Sequence, residues 1–449
     1  MPGHYFQSRD NWLEQARLLG FDTALLSDPP YWVEALQEPF CLELTVADIA
    51  ALEHAGRIVQ SQVLALVERV CCGPDSEALM ERLSIPTDYR RAVRLSFERQ
   101  DPSLYSRFDF AFEPGQSSPR LLELNADTPS SLMEASVLQL AWLAGMKERQ
   151  SLAPESDQYN FLQDTLVEVF SGLGDHSGTS WHFAYYPGAR EDGETVKYLC
   201  AVAGALGIDS LLVELNQLRS IDGTLLDGEG RVVERLFKLY PWELLFEDDS
   251  RIKARTGQYL FLPLLESGRL KVFEPLWKSV LAGKGALSLL YEMFPGSPYL
   301  LPAYMESSRP GDFAPPYVIK PVFGREGAGV RIVLENRAAR TAEGSAAYSS
   351  GGSADVEVTV DYTTDGNAVH SSGGNADREI AVEIAAEEYN GPGQGLNIVQ
   401  RYSALPVFAG YSLVFGLWLM AGKPCGLSVR ADKSKITGRN ALFVPHYVI

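Results

Sequence analysis

The chain has 449 residues, more than a single hydrophobic core usually serves, so two or three domains are expected. Hydrophobic residues make up 46% and charged residues 22% of the sequence, which excludes a wholly disordered chain. The net charge of −19 disfavours nucleic-acid binding, because an acidic surface repels phosphate. Such a surface would attract a cationic partner such as a polyamine, although a soluble acidic protein without one would carry the same charge.

Cysteine usage and the first residues favour a cytoplasmic protein. The five cysteines are scattered, and the adjacent pair Cys71 and Cys72 has no CxxC motif nearby, so neither a disulfide framework nor a zinc site is indicated. The N-terminus lacks the basic segment and apolar stretch of a signal peptide. The longest apolar run, 411–421, is shorter than the roughly 20 apolar residues that cross a bilayer, so no membrane contact is expected.

Residues 1–100 are predicted to form a mainly helical N-terminal segment. Apolar residues recur at helical spacing over 45–70, and Thr45 and Asp48 are well placed to cap that helix. A second region, 101–272, is predicted to be an α/β region that binds metal and substrate.

Two patterns define that second region. Over 104–125 the polar and apolar residues alternate with period two, which is the signature of a strand. Residues 179–215 then read as strand, helix and strand, with the helix at about 194–206. Such a βαβ unit implies some parallel sheet.

The third region, 273–449, starts a new α/β pattern. It contains a helical segment (GALSLLYEMF), a strand that ends in lysine (YVIK), a glycine-rich loop (GREGAG) and a further strand (VRIVL). Strands at about 411–420 and 425–430 are predicted to form a hairpin. Between them and the glycine loop, 338–396 holds ten acidic against two basic residues and many small polar ones, which predicts an insertion that serves as a lid or as solvated decoration.

Polar residues alternate along two neighbouring predicted strands. Arg107 and Asp109 share one face of the first strand, and Glu123 and Asn125 share one face of the second. If the two strands pair, one face of the sheet gathers two carboxylates, an amide and a guanidinium. The oxygen ligands suit Mg²⁺, and the arginine suits a phosphoryl group. A solvated strand face with a surface ion pair is the alternative.

A helix is predicted to begin directly after the second of these strands. Thr128 followed by Pro129 is one candidate start, and Ser131 with Glu134 three residues later is another. Backbone N–H groups at such a start could bind a carboxylate or a phosphate, although helix capping alone explains the residues equally well.

Lys320 and the glycine-rich loop after it resemble neither a Walker A motif nor a Rossmann fingerprint, because GxxxxGK[ST] is absent and no helix follows the loop. A lysine on a strand followed by a flexible glycine loop is another way to hold ATP, with Lys320 on the phosphates and the loop backbone over them. A simple hairpin turn is the alternative. A further cationic segment, 426–438, contains Arg430. It is a candidate part of the site only if it folds over the same cleft, and a solvated edge is the alternative.

Taken together, these segments resemble the synthetase domain of the glutathionylspermidine synthase family, an ATP-grasp-type group of carboxylate–amine ligases. The resemblance rests on the blocks RFDFAF, LLELNADTPSSLMEA, LYPWELLFED, FEPLWKSVLAGKGALSLLYEMFPGSPYLLPAY, YVIKPVFGREGAGVRI and GLSVRADKSKITG, in that order. It covers nearly the whole chain apart from 338–396. The bifunctional members also carry an amidase domain, for which the helical first 100 residues leave no room, so the resemblance implies a stand-alone synthetase.

The resemblance implies an α/β (α+β) fold, namely an ATP-grasp-like ligase fold with an N-terminal helical segment and a pre-ATP-grasp βαβ region. It also implies a role for each matching residue. Mg²⁺ would be bound by Asp109, Glu123 and Asn125, the transferred phosphoryl group by Arg107 and the acyl intermediate by Arg430, ATP by Lys284, Lys320, Arg325 and Gly327, and the substrates by Thr128, Trp242 and Glu243.

The expected function is an ATP-dependent ligase that joins a carboxylate to an amine through an acyl phosphate. Glutathione and a polyamine are one candidate pair of substrates, and a different acid and amine are the first alternative. A non-catalytic nucleotide-binding protein and an acidic interaction protein that works through 338–396 are further alternatives.

Overall fold

The computed structural model of the chain describes residues 3–21, 31–116, 118–173, 178–186, 190–334 and 395–449, and the backbone of two short strands at 361–362 and 368–369. The predicted acidic insertion, 338–396, otherwise lies outside the described residues, apart from its last two. None of the described helices combines the length and the apolar composition that crossing a bilayer requires.

Helices and strands alternate through most of the described chain. The α-helices are α1 (Trp12–Leu18), α2 (Val46–Cys72), α3 (Ser76–Arg82), α4 (Arg90–Glu98), α5 (Gln139–Glu148), α6 (Leu162–Gly172), α7 (Arg190–Ala205), α8 (Trp242–Thr256), α9 (Leu262–Ser267) and α10 (Gly285–Met293). The strands are β1 (Gly3–Tyr5), β2 (Phe40–Leu44), β3 (Tyr105–Ala111), β4 (Arg120–Asn125), β5 (Trp181–Tyr185), β6 (Ser210–Glu214), β7 (Arg219–Ile221), β8 (Thr224–Leu226), β9 (Arg235–Leu239), β10 (Lys271–Phe273), β11 (Ala303–Met305), β12 (Tyr317–Pro321), β13 (Arg331–Val333), β14 (Asp361–Tyr362), β15 (Ala368–Val369), β16 (Asn397–Arg401), β17 (Val407–Phe408), β18 (Tyr411–Met420), β19 (Lys423–Asp432), β20 (Leu442–Val444) and β21 (His446–Val448).

A six-stranded antiparallel sheet with the order β20-β19-β18-β3-β4 forms the centre of the fold, and β17 pairs with β18. Its central strand β18 is buried from Ser412 to Met420. The turn to β19 passes through Ala421 and Gly422, whose φ of 78° a glycine adopts without strain. The predicted hairpin of 411–420 with 425–430 is therefore confirmed.

A four-stranded parallel sheet with the order β10-β9-β5-β6 lies beside the central one. Helix α7 leads from β5 to β6, so the predicted βαβ unit is confirmed. A second four-stranded sheet, β11-β16-β12-β13, is antiparallel. Its strand β12 is the predicted strand that carries Lys320 near its end. The glycine-rich loop connects β12 to β13. That loop is therefore a hairpin connection, whatever else it binds.

The N-terminal segment is mainly helical, as predicted, but it also contributes two strands. Strand β2 pairs with β1 on one side and with the C-terminal strand β21 on the other, so the two ends of the chain share a sheet. Helix α2 begins with the predicted cap, in which Thr45 Oγ1 accepts a hydrogen bond from the Asp48 amide at 3.2 Å and Asp48 Oδ2 accepts one from the Thr45 amide at 2.9 Å.

The fold is mixed α/β, as predicted. The central sheet takes β3 and β4 from the predicted region 101–272 and β18 to β20 from 273–449. One hydrophobic core also includes residues from all three predicted regions, among them Val63, Phe110 and Leu417. The three regions share one hydrophobic core in the described structure. Their boundaries at 100 and 272 stay a prediction from the sequence.

Candidate active site

A cavity of about 630 Å³ lies where the central sheet meets the β12 sheet and the start of α8. Its walls include eleven of the twelve residues that the sequence predicts for the site. These are Arg107, Asp109, Glu123, Asn125, Thr128, Glu243, Lys284, Lys320, Arg325, Gly327 and Arg430. The cavity therefore joins segments more than 300 residues apart in the chain.

The two strands with alternating polar residues form the antiparallel hairpin that the sequence predicts. In its register Arg107 lies opposite Asn125, and Asp109 lies opposite Glu123. The register shifts between Asp109 and Phe110, which is a bulge of the kind that re-aims a side chain beside a functional site. All four polar side chains line the cavity.

Asp109 is held by two neighbours on the same face. The Arg107 guanidinium donates two hydrogen bonds to it, at 2.7 Å to Oδ1 and 3.0 Å to Oδ2, and Asn125 Nδ2 donates one to Oδ2 at 2.9 Å. Arg107 Nη1 also donates to the Ser130 carbonyl at 2.6 Å. The guanidinium is fixed at both ends, so its position against a ligand is already set.

The oxygen atoms of Asp109, Glu123 and Asn125 fit magnesium. Burial raises the pKa of Glu123, but the ammonium groups of Lys284 and Lys320 outweigh it and hold that pKa below its ordinary value, so the carboxylate is ionised. Within the described ranges no three or more His, Cys, Asp and Glu side chains form a metal-binding group. Asp109, Glu123 and Asn125 offer oxygen atoms for part of a Mg²⁺ shell, whose other positions water and phosphate usually take.

Two lysines face this acidic strand from other elements. Lys320 Nζ donates to the Leu122 carbonyl at 2.9 Å and to Gln400 Oε1 at 2.7 Å, and burial lowers its pKa to about 8. Lys284 Nζ, just before α10, lies 2.9 Å from Glu123 Oε1 and donates to the Gly324 carbonyl at 2.6 Å. Lys284 therefore links the acidic strand to the glycine-rich loop.

The segment 426–438 folds over the same cavity. This meets the condition under which its cations were predicted to belong to the site. A Cβ atom on Gly327 would lie 2.8 Å from Ile436 Cγ2 and 2.9 Å from the Thr437 carbonyl oxygen, and Gly327 has a φ of 75°. Only glycine allows this approach of loop and segment. Arg430 donates to the Gly438 carbonyl at 3.0 Å, and burial lowers its pKa, with the Arg107 charge adding to the effect.

Arg325 follows Gly324 in the glycine-rich loop, and its Nη2 donates to Thr128 Oγ1 at 2.7 Å. The helical chain that follows starts at Leu132, so the helix begins after Ser131 and not at Thr128. Glu134 accepts a hydrogen bond from the Tyr31 hydroxyl at 2.8 Å. Thr128 is thus a loop residue in the cavity wall and is held by the glycine-rich loop.

Trp242 is the one predicted site residue whose side chain does not line the cavity. Its ring is completely buried, and the Lys238 ammonium lies 4.1 Å from the ring centroid. Asp127 accepts hydrogen bonds from Lys238 Nζ and from the Trp242 amide, both at 2.8 Å. Trp242 therefore supports the wall from behind and joins the buried Asp127–Lys238 ion pair.

Glu243 follows Trp242 in the first turn of α8 and lines the cavity. Its Oε2 is buried and has no hydrogen-bond partner among the described residues. Burial, and then the nearby Asp127 carboxylate, raise the pKa of Glu243 to about 7, while Arg325 and Lys238 act in the opposite direction. This carboxyl can therefore exchange a proton near neutral pH.

Sequence reasoning missed several wall residues. Asp127 continues the period-two polar series of Glu123 and Asn125, and this signal could have found it. Gln400 and Gly416 give no such signal, because their neighbours are ordinary strand residues. A Cβ on Gly416 would lie 2.6 Å from Ser428 Oγ and 2.8 Å from Arg107 Cδ, so the absence of a side chain leaves room for the arginine.

Comparison with known proteins places this site in a family. The family model for the glutathionylspermidine synthase preATP-grasp region matches residues 4–355 and 365–449. A Haemophilus influenzae protein provisionally named an acid–amine ligase is 28% identical, over 99% of this chain and 98% of its own length. A glutathione synthetase-like effector from Globodera pallida covers 99% of this chain with 11% identity and a TM-score of 0.49.

Two Crithidia fasciculata proteins are also similar. Trypanothione synthetase is 25% identical over 80% of this chain, and glutathionylspermidine synthase is 23% identical over 89%. The chain spans 49% and 57% of their respective lengths. The family match extends through the strands, the loop and the C-terminal segment that build the cavity, and the chain belongs to the glutathionylspermidine synthase family.

Proposed function

We propose that the chain is an ATP-dependent carboxylate–amine ligase that forms an amide bond through an acyl phosphate. One observation carries the proposal: a single cavity gathers the acidic face of β3 and β4, two lysines from other elements, the glycine-rich loop and the cationic segment 426–438. Membership of the glutathionylspermidine synthase family supports the same chemistry.

The acidic end of the cavity suits the phosphates of ATP. Asp109, Glu123 and Asn125 would hold Mg²⁺, which neutralises phosphate charge when bound. Lys284 and Lys320 bind the phosphate oxygens as point charges. Because these groups are held by hydrogen bonds before the reaction, little reorganisation is needed as charge develops.

The proposed reaction has two steps, phosphorylation of the acid and attack by the amine. A substrate carboxylate oxygen attacks the γ-phosphorus, the bond to the β-phosphate oxygen breaks, and ADP leaves. The amine nitrogen then attacks the acyl carbon, the bond to the phosphate oxygen breaks, and inorganic phosphate leaves as the nitrogen loses a proton. Arg107 contacts the phosphoryl group during its transfer to the carboxylate, and Arg430 stabilises the acyl phosphate and the tetrahedral species that follows.

The substrates occupy the part of the cavity lined by Thr128 and Glu243, and Arg325, which donates to Thr128, faces the phosphates of ATP. Thr128 offers its hydroxyl to the acid, whereas Glu243 and Asp127 offer a carboxylate environment to the cationic amine. Glutathione and a polyamine are the first pair to examine, because the similar Crithidia fasciculata protein is named a glutathionylspermidine synthase. A different acid and amine handled by the same chemistry are the alternative.

The proposal is tested by ADP release from ATP and Mg²⁺ in a matrix of acids and amines that includes glutathione and spermidine. ADP release that requires both an acid and an amine, with the amide detected by mass spectrometry, is the expected result. Tight ATP binding without turnover for any pair would contradict the ligase and favour a non-catalytic nucleotide-binding protein.

A further inference from the structure

A buried amide stands between the two sheets that enclose the phosphate end of the cavity. Gln400 on β16 lines the cavity and is 2% exposed. Its Oε1 accepts a hydrogen bond from Lys320 Nζ at 2.7 Å, and its Nε2 donates to the Leu121 carbonyl at 3.2 Å. The side chain therefore touches a proposed ATP-binding lysine and the strand that bears the proposed metal ligands.

An amide suits the chemistry of this position. Lys320 offers only donors and the Leu121 carbonyl only an acceptor, so the group between them must accept on one side and donate on the other. A carboxylate would place negative oxygen against the Leu121 carbonyl, and an apolar side chain would leave both partners unsatisfied. Gln400 satisfies both within a single side chain.

The contact also fixes a flexible cation. Of the three N–H donors of Lys320, one is bound by Gln400 and another by the Leu122 carbonyl at 2.9 Å. A free lysine ammonium on its four-carbon stem loses considerable rotamer entropy when a ligand orders it. With two donors engaged, that ordering is done in advance and one donor remains for a phosphate oxygen.

The position of Gln400 on β16 lets its side chain reach Lys320 on the neighbouring strand β12. Lys320 pairs with Ile398 across the β12–β16 ladder, two residues before Gln400, so the amide reaches the ammonium diagonally. Leu121 and Leu122 directly precede Glu123 on β4. We propose that Gln400 is a positioning residue that holds the Lys320 ammonium at a fixed place beside the metal-bearing strand. The inference rests on the proposed function, because it assumes that Lys320 binds the nucleotide.

The test is a double-mutant cycle on ADP binding, measured by isothermal titration calorimetry with Mg²⁺ in the full chain. Gln400→Met is expected to weaken ADP binding at least about tenfold, the usual magnitude for a hydrogen bond to a charged group. Lys320→Met is expected to weaken it at least as much. In the double variant Gln400→Met should add little further loss, because the lysine it positions is gone.

Gln158→Met is the matched control. Gln158 is also a buried amide, and its Nε2 donates to the carbonyls of Gln139 and His446, both at 2.9 Å, but it does not line the cavity. It should lower the melting temperature without weakening ADP binding. Should Gln400→Met fail to fold, Gln400→Asn, which retracts the amide by one methylene, should produce the same coupled loss.

Three results would overturn the inference: unchanged ADP binding in the folded Gln400 variants, additive losses in the cycle, or an equal loss of ADP binding in Gln158→Met. Absence of ADP binding by the unaltered chain would instead refute the nucleotide site itself, and with it both the ligase proposal and the inference. Normal ADP binding that shows no coupling between Gln400 and Lys320 would refute the inference alone.

Discussion

The cations and carboxylates of the cavity are paired with one another at the scale of single residues. Arg107 binds Asp109 in a bidentate contact, and Lys284 lies 2.9 Å from Glu123. Such pairing offsets the penalty of burying each charge and sets the side chains in place. In the proposed ATP complex, Mg²⁺ and the phosphates would add charged partners to carboxylates and cations that are already in place.

Glu123→Ala is therefore expected to leave the fold intact and to slow catalysis. Removal of one positioned electrostatic group usually lowers the rate by roughly 10²–10³, or about 3–4 kcal/mol. The measurement is ADP release at saturating ATP, with the melting temperature as a check on folding. Glu148→Ala, at an exposed position at the end of α5, is the control. A Glu123→Ala variant as fast as the unaltered chain would refute the metal assignment.

The raised pKa of Glu243 predicts that this residue lowers the stability of the fold while it serves the reaction. Its pKa is raised from 4.5 in the unfolded chain to about 7 by burial and by Asp127. The folded state therefore binds the proton more tightly, and the free energy of unfolding falls as the pH rises from about 4.5 to about 7. Above pH 7 the full destabilisation is present, up to roughly 3 kcal/mol.

Glu243→Gln mimics the protonated carboxyl at every pH. Unfolding by urea should show the variant to be more stable than the unaltered chain at pH 8, with the difference shrinking towards pH 4.5. The same variant should lose amide formation, because a proton acceptor at the amine end is removed. Glu81→Gln, at an exposed position, should change neither property. Equal stability of the two chains at pH 8 would show that Glu243 carries no raised pKa.

At the scale of elements, the position of β18 beside β3 gives Gly416 a specific role. Gly416 pairs with Asp109 on one side and with Ser428 on the other. A Cβ there would meet Ser428 Oγ at 2.6 Å, Arg107 Cδ at 2.8 Å and Asp109 Oδ1 at 3.1 Å. The glycine thus leaves space for the arginine–aspartate pair on the face of the sheet.

Gly416→Ala should displace that pair and reduce turnover by up to about 10²-fold, a typical effect of a misplacement near 1 Å. Loss of turnover with little change in melting temperature, measured on the same preparation, is the expected result. Gly204→Ala is the control, because Gly204 lies in α7 and a Cβ there meets nothing within 4 Å. Retained turnover in Gly416→Ala would show that the close packing around Arg107 is unimportant for the reaction.

Element-scale features divide into those that local sequence predicts and those that it does not. The period-two series placed Arg107, Asp109, Glu123 and Asn125 on one face, because side chains of a strand alternate between its faces. The approach of Arg430 could only be stated as a condition, since it depends on how distant segments fold together. The family resemblance assigned both Trp242 and Glu243 to the substrates, yet the ring of Trp242, at the start of α8, packs into the core.

For the whole molecule, the central sheet is what converts separate motifs into one site. Strand β3 pairs with β18, so β3 and β4 share one sheet with β18 and β19, which are some 300 residues later in the chain. The Tyr299 carbonyl accepts the Leu121 amide at 2.8 Å, so the segment before β11 is also fixed to β4. Contacts of this sequence separation leave no local pattern, which is why the family resemblance, more than periodicity, predicted which blocks meet.

The net charge of −19 acts on the whole molecule and predicts how binding of a polyamine responds to salt. The Debye length falls from about 30 Å at 0.01 M to about 8 Å at 0.15 M ionic strength, so added salt screens the acidic surface from an approaching cation. The apparent KM for spermidine should therefore rise with NaCl concentration.

Initial rates at fixed ATP and acid, measured over a series of NaCl concentrations, give the comparison. Ethanolamine, with one positive charge, is the control, and its KM should rise much less than that of spermidine, because the attraction scales with the charge of the ligand. An equal rise for both amines would assign the effect to nucleotide or acid binding. A spermidine KM that stays flat would mean that the acidic surface takes no part in collecting the amine.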